Sequence, residues 1–258
     1  MNNRMRDTIL IFLLLLCPSV KGQESLPIKP RIAVVLDDFA LTYKKSVKDE
    51  EWLAVKWPLT CAVMPTYKKN RYGLNTVDSA KKLALAGHEV VIHFPFDPFL
   101  KLELPKDRVS EKDLAAVRKL LAESLADMSG ARGINNHRSY QATKNRPLMA
   151  AFMKDLQGKG LYVLDSHVSP KSVAAEEARK AGLKTVVNDL FLEGPPRYDN
   201  RAVCEKIMRQ VAARARKHGS SVVIGHHYYR GTYDCLQAMV PKLQAEGFEF
   251  VFASQLAK

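Results

Sequence analysis

From Arg31 onward, short runs of β-branched and apolar residues alternate with longer stretches in which apolar positions recur every third or fourth residue. The short runs read as strands and the 3.6-residue recurrence as helices. Strands are predicted at 32–36, 60–64, 89–93, 131–135, 161–165, 184–188, 221–225 and 248–252. Several are apolar throughout, as strands covered on both faces are. The clearest helix follows Ser110, which caps it with Asp113 answering three residues on. Leu114, Val117, Leu121 and Leu125 then share a face, and Gly130 ends it. Further helices are predicted at 76–86, 147–157, 172–181, 200–218 and 232–246, with Gly87, Gly158, Gly182, Gly219 and Gly247 placed where a left-handed last turn is wanted. Pro241 is expected to kink or split the last of them.

Strands that alternate with helices make a parallel α/β sheet. With 258 residues, 47% apolar and 26% charged, the chain is excluded from the disordered, collagen-like and coiled-coil classes and has ample length for a core. No polar linker divides 31–258, which reads as one domain. Asp37, Asp38, Pro65, His93, His137, Asp165, Asp189 and His226 each fall at or just after the C-terminal end of a predicted strand. Those ends share one face in a parallel fold, the face on which ligands bind. The expected architecture is therefore a distorted (β/α) barrel of seven or eight mostly parallel strands.

The first 22 residues have a different character. Arg4 and Arg6 precede an apolar run from Ile9 to Cys17, and Val20 and Gly22 offer small residues ahead of a cut after Gly22. This is the layout of a secretory signal peptide, and the run is shorter than the ~20 residues of a membrane span. Residues 23–30, with two prolines, read as a flexible lead-in. The expected location is exported, periplasmic or extracellular. A formal charge of +13, from 40 Lys+Arg against 27 Asp+Glu, favours anionic neighbours. Export removes nucleic acid from that set and leaves envelope polymers, extracellular glycans and lipid head groups. In an oxidising compartment Cys204 and Cys235 would bond if two helix starts lie together.

Candidate chemistry gathers at the strand ends. Asp37 and Asp38 are adjacent carboxylates, one suited to bind a cation and the other to accept a proton, whereas on an uninterrupted strand they would point opposite ways. Four of the seven histidines, His93, His137, His226 and His227, lie at strand ends on the shared face. Asp97, four residues after His93, is placed either to bind a metal or to accept from the His93 ring. An aspartate with two histidines is a sufficient set for a catalytic zinc whose fourth position is open to water. Arg138, Tyr140, Tyr228, Tyr229 and Arg230 follow strand ends and could meet sugar faces or acidic groups. Trp52 and Trp57 read as core or lid residues. A phosphate-binding or phosphoesterase reading lacks a glycine-rich loop.

Six blocks in order carry a resemblance: Val35-Leu36-Asp37-Asp38, Gly87-His88-Glu89 leading to His93 and Pro95, Gly133-Ile134-Asn135-Asn136-His137, Leu164-Asp165-Ser166 with Ser169-Pro170, Asn188-Asp189-Leu190-Phe191-Leu192, and Ile224-Gly225-His226. The chain resembles the divergent polysaccharide deacetylases, a branch of the NodB-homology carbohydrate esterases, over about 31–256. The resemblance implies a NodB-like deacetylase fold and a divalent metal, zinc foremost. It implies Asp37 as general base, Asp38 and His93 as metal ligands and His226 as general acid. The wider group has its second ligand histidine where this chain has Asp97, so His137 of the Asn-Asn-His block is taken as the missing ligand. Asp165 is expected to orient His226, with Arg138, Tyr228 and Arg230 as substrate contacts. The implied reaction is deacetylation of an envelope or extracellular polysaccharide, peptidoglycan-like glycans included. The changed ligand leaves an alternative, a catalytically silent carbohydrate or cell-wall binding protein on the same fold.

Overall fold

A computed structural model describes residues 29–41, 46–66, 75–105, 107–195 and 197–258. The stretch 1–22, predicted as a signal peptide, and all but the end of the predicted lead-in at 23–30 lie outside the described residues. Nine strands are described: β1 (Arg31–Phe39), β2 (Thr60–Val63), β3 (Glu89–Pro95), β4 (Gly133–His137), β5 (Tyr162–Asp165), β6 (Thr185–Val187), β7 (Leu190–Phe191), β8 (Ser220–His226) and β9 (Glu249–Val251). They pair in the order β6-β5-β4-β3-β2-β1-β8-β7, with β9 on the N-terminal half of β1, and every ladder is parallel. All eight predicted strands are present. The unforeseen one, β7, is two residues long and too short to show a period.

The sheet curls far enough for Asn135 on β4 to hydrogen-bond Asp37 on β1, three strands away. β6 and β7 stand at the two ends of the order, and no ladder joins them among the described residues. The architecture is thus a curled half-barrel, open on one side. Alternation along each strand divides its residues between two cores. Ala33, Val35, Val91, Leu164 and Ile224 fill the concave interior. Ile32, Val34, Leu36, Ile92, Val163 and Val223 face the helices outside. Carried to the C-terminal ends, the interior parity places Asp37, His93, Asn135, His137 and His226 over the same cavity. At the opposite end, Glu89 Oε1 accepts from Thr60 and Tyr162, both at 2.9 Å, and closes the interior.

The helices are α1 (Asp49–Leu53), α2 (Thr76–Leu85), α3 (Glu111–Asp127), α4 (Arg146–Leu156), α5 (Ala174–Lys180), α6 (Arg201–His218) and α7 (Arg230–Ala245). Ser110 caps α3 by accepting from the Asp113 N–H, as its spacing implies. Pro241 neither splits nor ends α7, which runs continuously past it. Pro241 and Gln237, the residue whose carbonyl loses its donor, both lie on the exposed face, so water can take the vacated bond.

Cys204 and Cys235 are joined, with Cα atoms 6.1 Å apart, and tie the first turn of α6 to α7. The bond spans 31 residues of sequence. Chain-entropy arguments give a cross-link of this span about 3–4 kcal/mol. Replacing both cysteines with alanine is expected to lower the unfolding free energy by about that amount in urea titration. An unchanged midpoint would show that helix packing alone holds the pair.

Candidate active site

Asp38 is where the backbone departs from regularity. The register of β1 against β2 slips between Leu36 and Phe39, and Asp38 has φ 73°, in the left-handed region. A strand residue there costs energy, and such irregularities re-aim side chains. This one resolves the conflict between adjacent carboxylates, because Asp38 is turned to the same cavity that Asp37 reaches by normal alternation. Asp38 Oδ1 lies 3.1 Å from His93 Nε2 and 2.8 Å from His137 Nδ1, and those two nitrogens are 2.9 Å apart. All three residues are buried.

Three atoms so close need a proton or a cation among them. Asp38 Oδ1 has contacts with both rings but no well-directed hydrogen bond, and His137 Nε2 is buried without a hydrogen-bond partner. His93 Nδ1 is 2.8 Å from Asn135 Oδ1, which leaves its Nε2 facing the cluster. Two imidazoles and one carboxylate suit zinc, and coordination bonds of ~2 Å can reach all three atoms from one point. Burial works against the Asp38 charge, yet the flanking His137 and His93 hold its pKa well below the usual range. Burial also lowers the pKa of His137. Both shifts favour the protonation states that bind metal, whereas at His93 burial is outweighed by Asp37 and Asp38, which raise the pKa, so that ring would give up a proton to an ion. The donor set therefore fits a divalent ion.

Asp37 and His226 flank this cluster as register partners on β1 and β8. Burial pushes the Asp37 carboxyl pKa up, against the opposing pull of His93 and His226. Its Oδ1 accepts from Asn135 at 2.9 Å, and its Oδ2 lies 3.7 Å from His93 Nε2. His226 is held from behind by Glu193, whose Oε2 is 3.1 Å from Nδ1 and whose Oε1 accepts from the His226 N–H at 2.9 Å. Thr232, in the first turn of α7, donates to the same Oε1 at 2.6 Å. Gly225 makes room for this arrangement, since a Cβ there would lie 3.0 Å from Glu193 Oε1 and 2.8 Å from Leu192 Cδ1. Burial disfavours the charged His226 ring, but Glu193, with Asp38 and Asp37 across the cavity, raises its pKa to about 9.

The family profile described as divergent polysaccharide deacetylase matches residues 34–257, a span that contains every group just described. The chain belongs to the divergent polysaccharide deacetylase family. Protein YibQ of Escherichia coli K12, itself uncharacterised, is 29% identical over 83% of this chain, which spans 63% of that relative's length. Among solved structures, the uncharacterised protein ATU2773 of Agrobacterium tumefaciens C58 superposes with a TM-score of 0.73 at 17% identity, covering 90% of this chain and 91% of that one. The lactam utilization protein of Thermus thermophilus gives 0.55 at 15% identity, covering 85% and 98% respectively. The two structural likenesses show a shared fold.

Several sequence expectations need correction against this geometry. Asp165 does not meet His226. On β5 the inward residues are Tyr162 and Leu164, so Asp165 points outward, where it accepts from Ser172 Oγ at 2.8 Å and from the backbone N–H groups of His167 and Ala175. Glu193 takes the place assigned to it, and the signal was a carboxylate closing the Leu190-Phe191-Leu192 block. Asp97 is not beside the cluster's nitrogens. It accepts from the backbone N–H groups of Gln141 and Ala142 at 3.1 and 2.7 Å and so anchors the loop after β4. Arg230 is committed to a bidentate pair with Glu51 at 2.8 and 2.9 Å and to the Ser46 carbonyl, which removes it as a free substrate contact. Tyr228 is buried, its ring packed beside His226, His227 and Tyr229. Arg138 is exposed directly after His137, with φ 50°. Trp52 is a core residue whose indole N–H donates to the His227 carbonyl.

Proposed function

We propose that this chain is an exported, metal-dependent deacetylase that hydrolyses acetyl groups on an envelope or extracellular polysaccharide. The observation that carries the reading is the convergence of Asp38, His93 and His137 from three strands, with ligand atoms all within 4.8 Å of one another. A divalent ion bound there would polarise the acyl oxygen and acidify a water. Asp37 is the proton acceptor, through Oδ2, because Oδ1 is engaged by Asn135. A carboxylate whose pKa burial has raised is a better base than a solvated one. His226 donates from Nε2, because Nδ1 faces Glu193. Its side chain remains 28% exposed, which leaves the donor edge open to the cleft and to a departing amine or alkoxide.

The binding-only alternative took its motive from Asp97 standing where the wider esterase group has a histidine. The position of His137, with Nδ1 2.9 Å from His93 Nε2, supports the hydrolase reading over that alternative. Export is supported by the leader pattern of the first 22 residues and by the Cys204–Cys235 bond, which belongs to an oxidising compartment. The described residues include no helix long and apolar enough to cross a membrane.

Asp37→Asn separates base from metal. Acetate release from acetylated glycan oligomers is expected to fall by about 10²–10⁴-fold, the usual worth of a general base, while the bound-ion content stays that of the wild type. Chelator should abolish wild-type release, and added zinc should restore it. Release unaltered in the variant, or indifferent to chelator, would defeat the assignment.

A further inference from the structure

Asn135 lies in the middle of β4, where alternation puts it on the interior face with His137 and turns Asn136 away. Its side chain bonds groups of unlike function. Nδ2 donates to Asp37 Oδ1 at 2.9 Å and to Ser166 Oγ at 3.2 Å, while Oδ1 is 2.8 Å from His93 Nδ1. A carboxylate only accepts, so the end of the amide facing Asp37 is the NH₂. The other end is then the carbonyl, which also only accepts, so His93 Nδ1 carries a proton. In the neutral ring the lone pair is left on Nε2, the nitrogen that faces Asp38 and His137. Ser166 is itself placed by the neighbouring Asn136, whose Oδ1 accepts from the Ser166 N–H at 3.0 Å. The paired asparagines thus act on opposite sides of one strand, the inner on the reacting groups and the outer on the inner one's support.

We infer that Asn135 is a positioning residue that couples the two halves of the centre, orienting the base Asp37 with its amide protons and fixing the metal-binding tautomer of His93 with its carbonyl. The inference rests on the hydrolase reading above and adds to it a division of labour within one side chain. Ligand imidazoles are ordinarily oriented by a carboxylate, carbonyl or water behind them. Here the orienting group is also bonded to the proton acceptor, so a change at position 135 reaches binding and chemistry by separate routes.

Two substitutions pull those routes apart. Asn135→Ala removes both, whereas Asn135→Asp keeps an acceptor toward His93 and withdraws the donor from Asp37. By competition with a chromogenic chelator, zinc affinity is expected to fall about 10–100-fold in Asn135→Ala and to stay within about threefold of wild type in Asn135→Asp. The kcat for acetate release should fall about 100-fold in both at nearly unchanged KM. Long-range ¹H–¹⁵N spectra of the zinc-loaded wild type should show His93 protonated at Nδ1 and metal-bound at Nε2. Equal zinc affinity in wild type and Asn135→Ala, or a His93 bound through Nδ1, would overturn the inference while leaving the hydrolase reading standing. A wild type that takes up no zinc would remove both. Should the alanine variant fail to fold, the wild-type spectrum decides the matter alone.

Discussion

Asp38→Asn is expected to fold like the wild type, retain no divalent ion after gel filtration, and release no measurable acetate. The reasoning starts from the backbone. Position 38 has φ 73°, and asparagine is among the few residues with a side chain that adopt this region readily, so the irregular turn of β1 survives the change. What is lost is the charge. Asp38 contributes the one carboxylate among the three clustered donors, and an amide oxygen is a far weaker ligand for zinc. Ion affinity should drop by more than about 100-fold, the upper end of what a change behind a ligand costs. Comparison with Asp37→Asn makes the result diagnostic, because adjacent, equally conservative substitutions are expected to separate cleanly, one losing the ion and the other keeping it. Stoichiometric ion in Asp38→Asn, measured by elemental analysis of untagged protein, would move the metal site elsewhere.

How much of this could be read along the chain follows from what each feature depends on. The strand and helix pattern was legible because the curled sheet buries both faces of its strands, and such strands announce themselves as apolar runs. Asp37, His93, His137 and His226 were legible because each closes such a run. The fate of Asp165 was not, since a strand end says where a side chain lies along the axis and not toward which face it points. Counting parity from Leu164, an interior residue, turns Asp165 outward, but which parity is interior is settled only by the curl of the whole sheet. Glu193 was missed for a related reason: it follows a strand of two residues, β7, whose existence depends on pairing with β8. Arg230 shows a third limit. Its pairing with Glu51 joins α7 to α1, elements 179 residues apart, and no local pattern reports such a contact.

Glu193→Gln is expected to produce an activity defect that grows with pH. His226 must be protonated to donate to the leaving group, and in the wild type its pKa stands at about 9, so the basic limb of the kcat/KM profile should lie near that value. Glutamine keeps the size and one acceptor oxygen behind Nδ1 but carries no charge. Burial, which opposes the charged ring, is then balanced only by the remaining pull of Asp38 and Asp37, and the limb should move from about 9 toward ~6.5, the ordinary imidazole value. At pH 8 the protonated fraction would fall by at most about 30-fold, the value for a full move to ~6.5, while below pH 6 the variant should approach the wild type. The same substitution has a stability signature whose sign is fixed. A histidine whose pKa is raised on folding stabilises the folded state fully below its unfolded pKa, and the contribution fades as pH rises through about 9. The wild type should therefore lose thermal stability between roughly pH 6.5 and 9, and the variant should show a smaller decline over that window. A merely structural role for Glu193 predicts something else, a loss of activity equal at every pH. That outcome would return the proton donor's control to groups other than the carboxylate behind it.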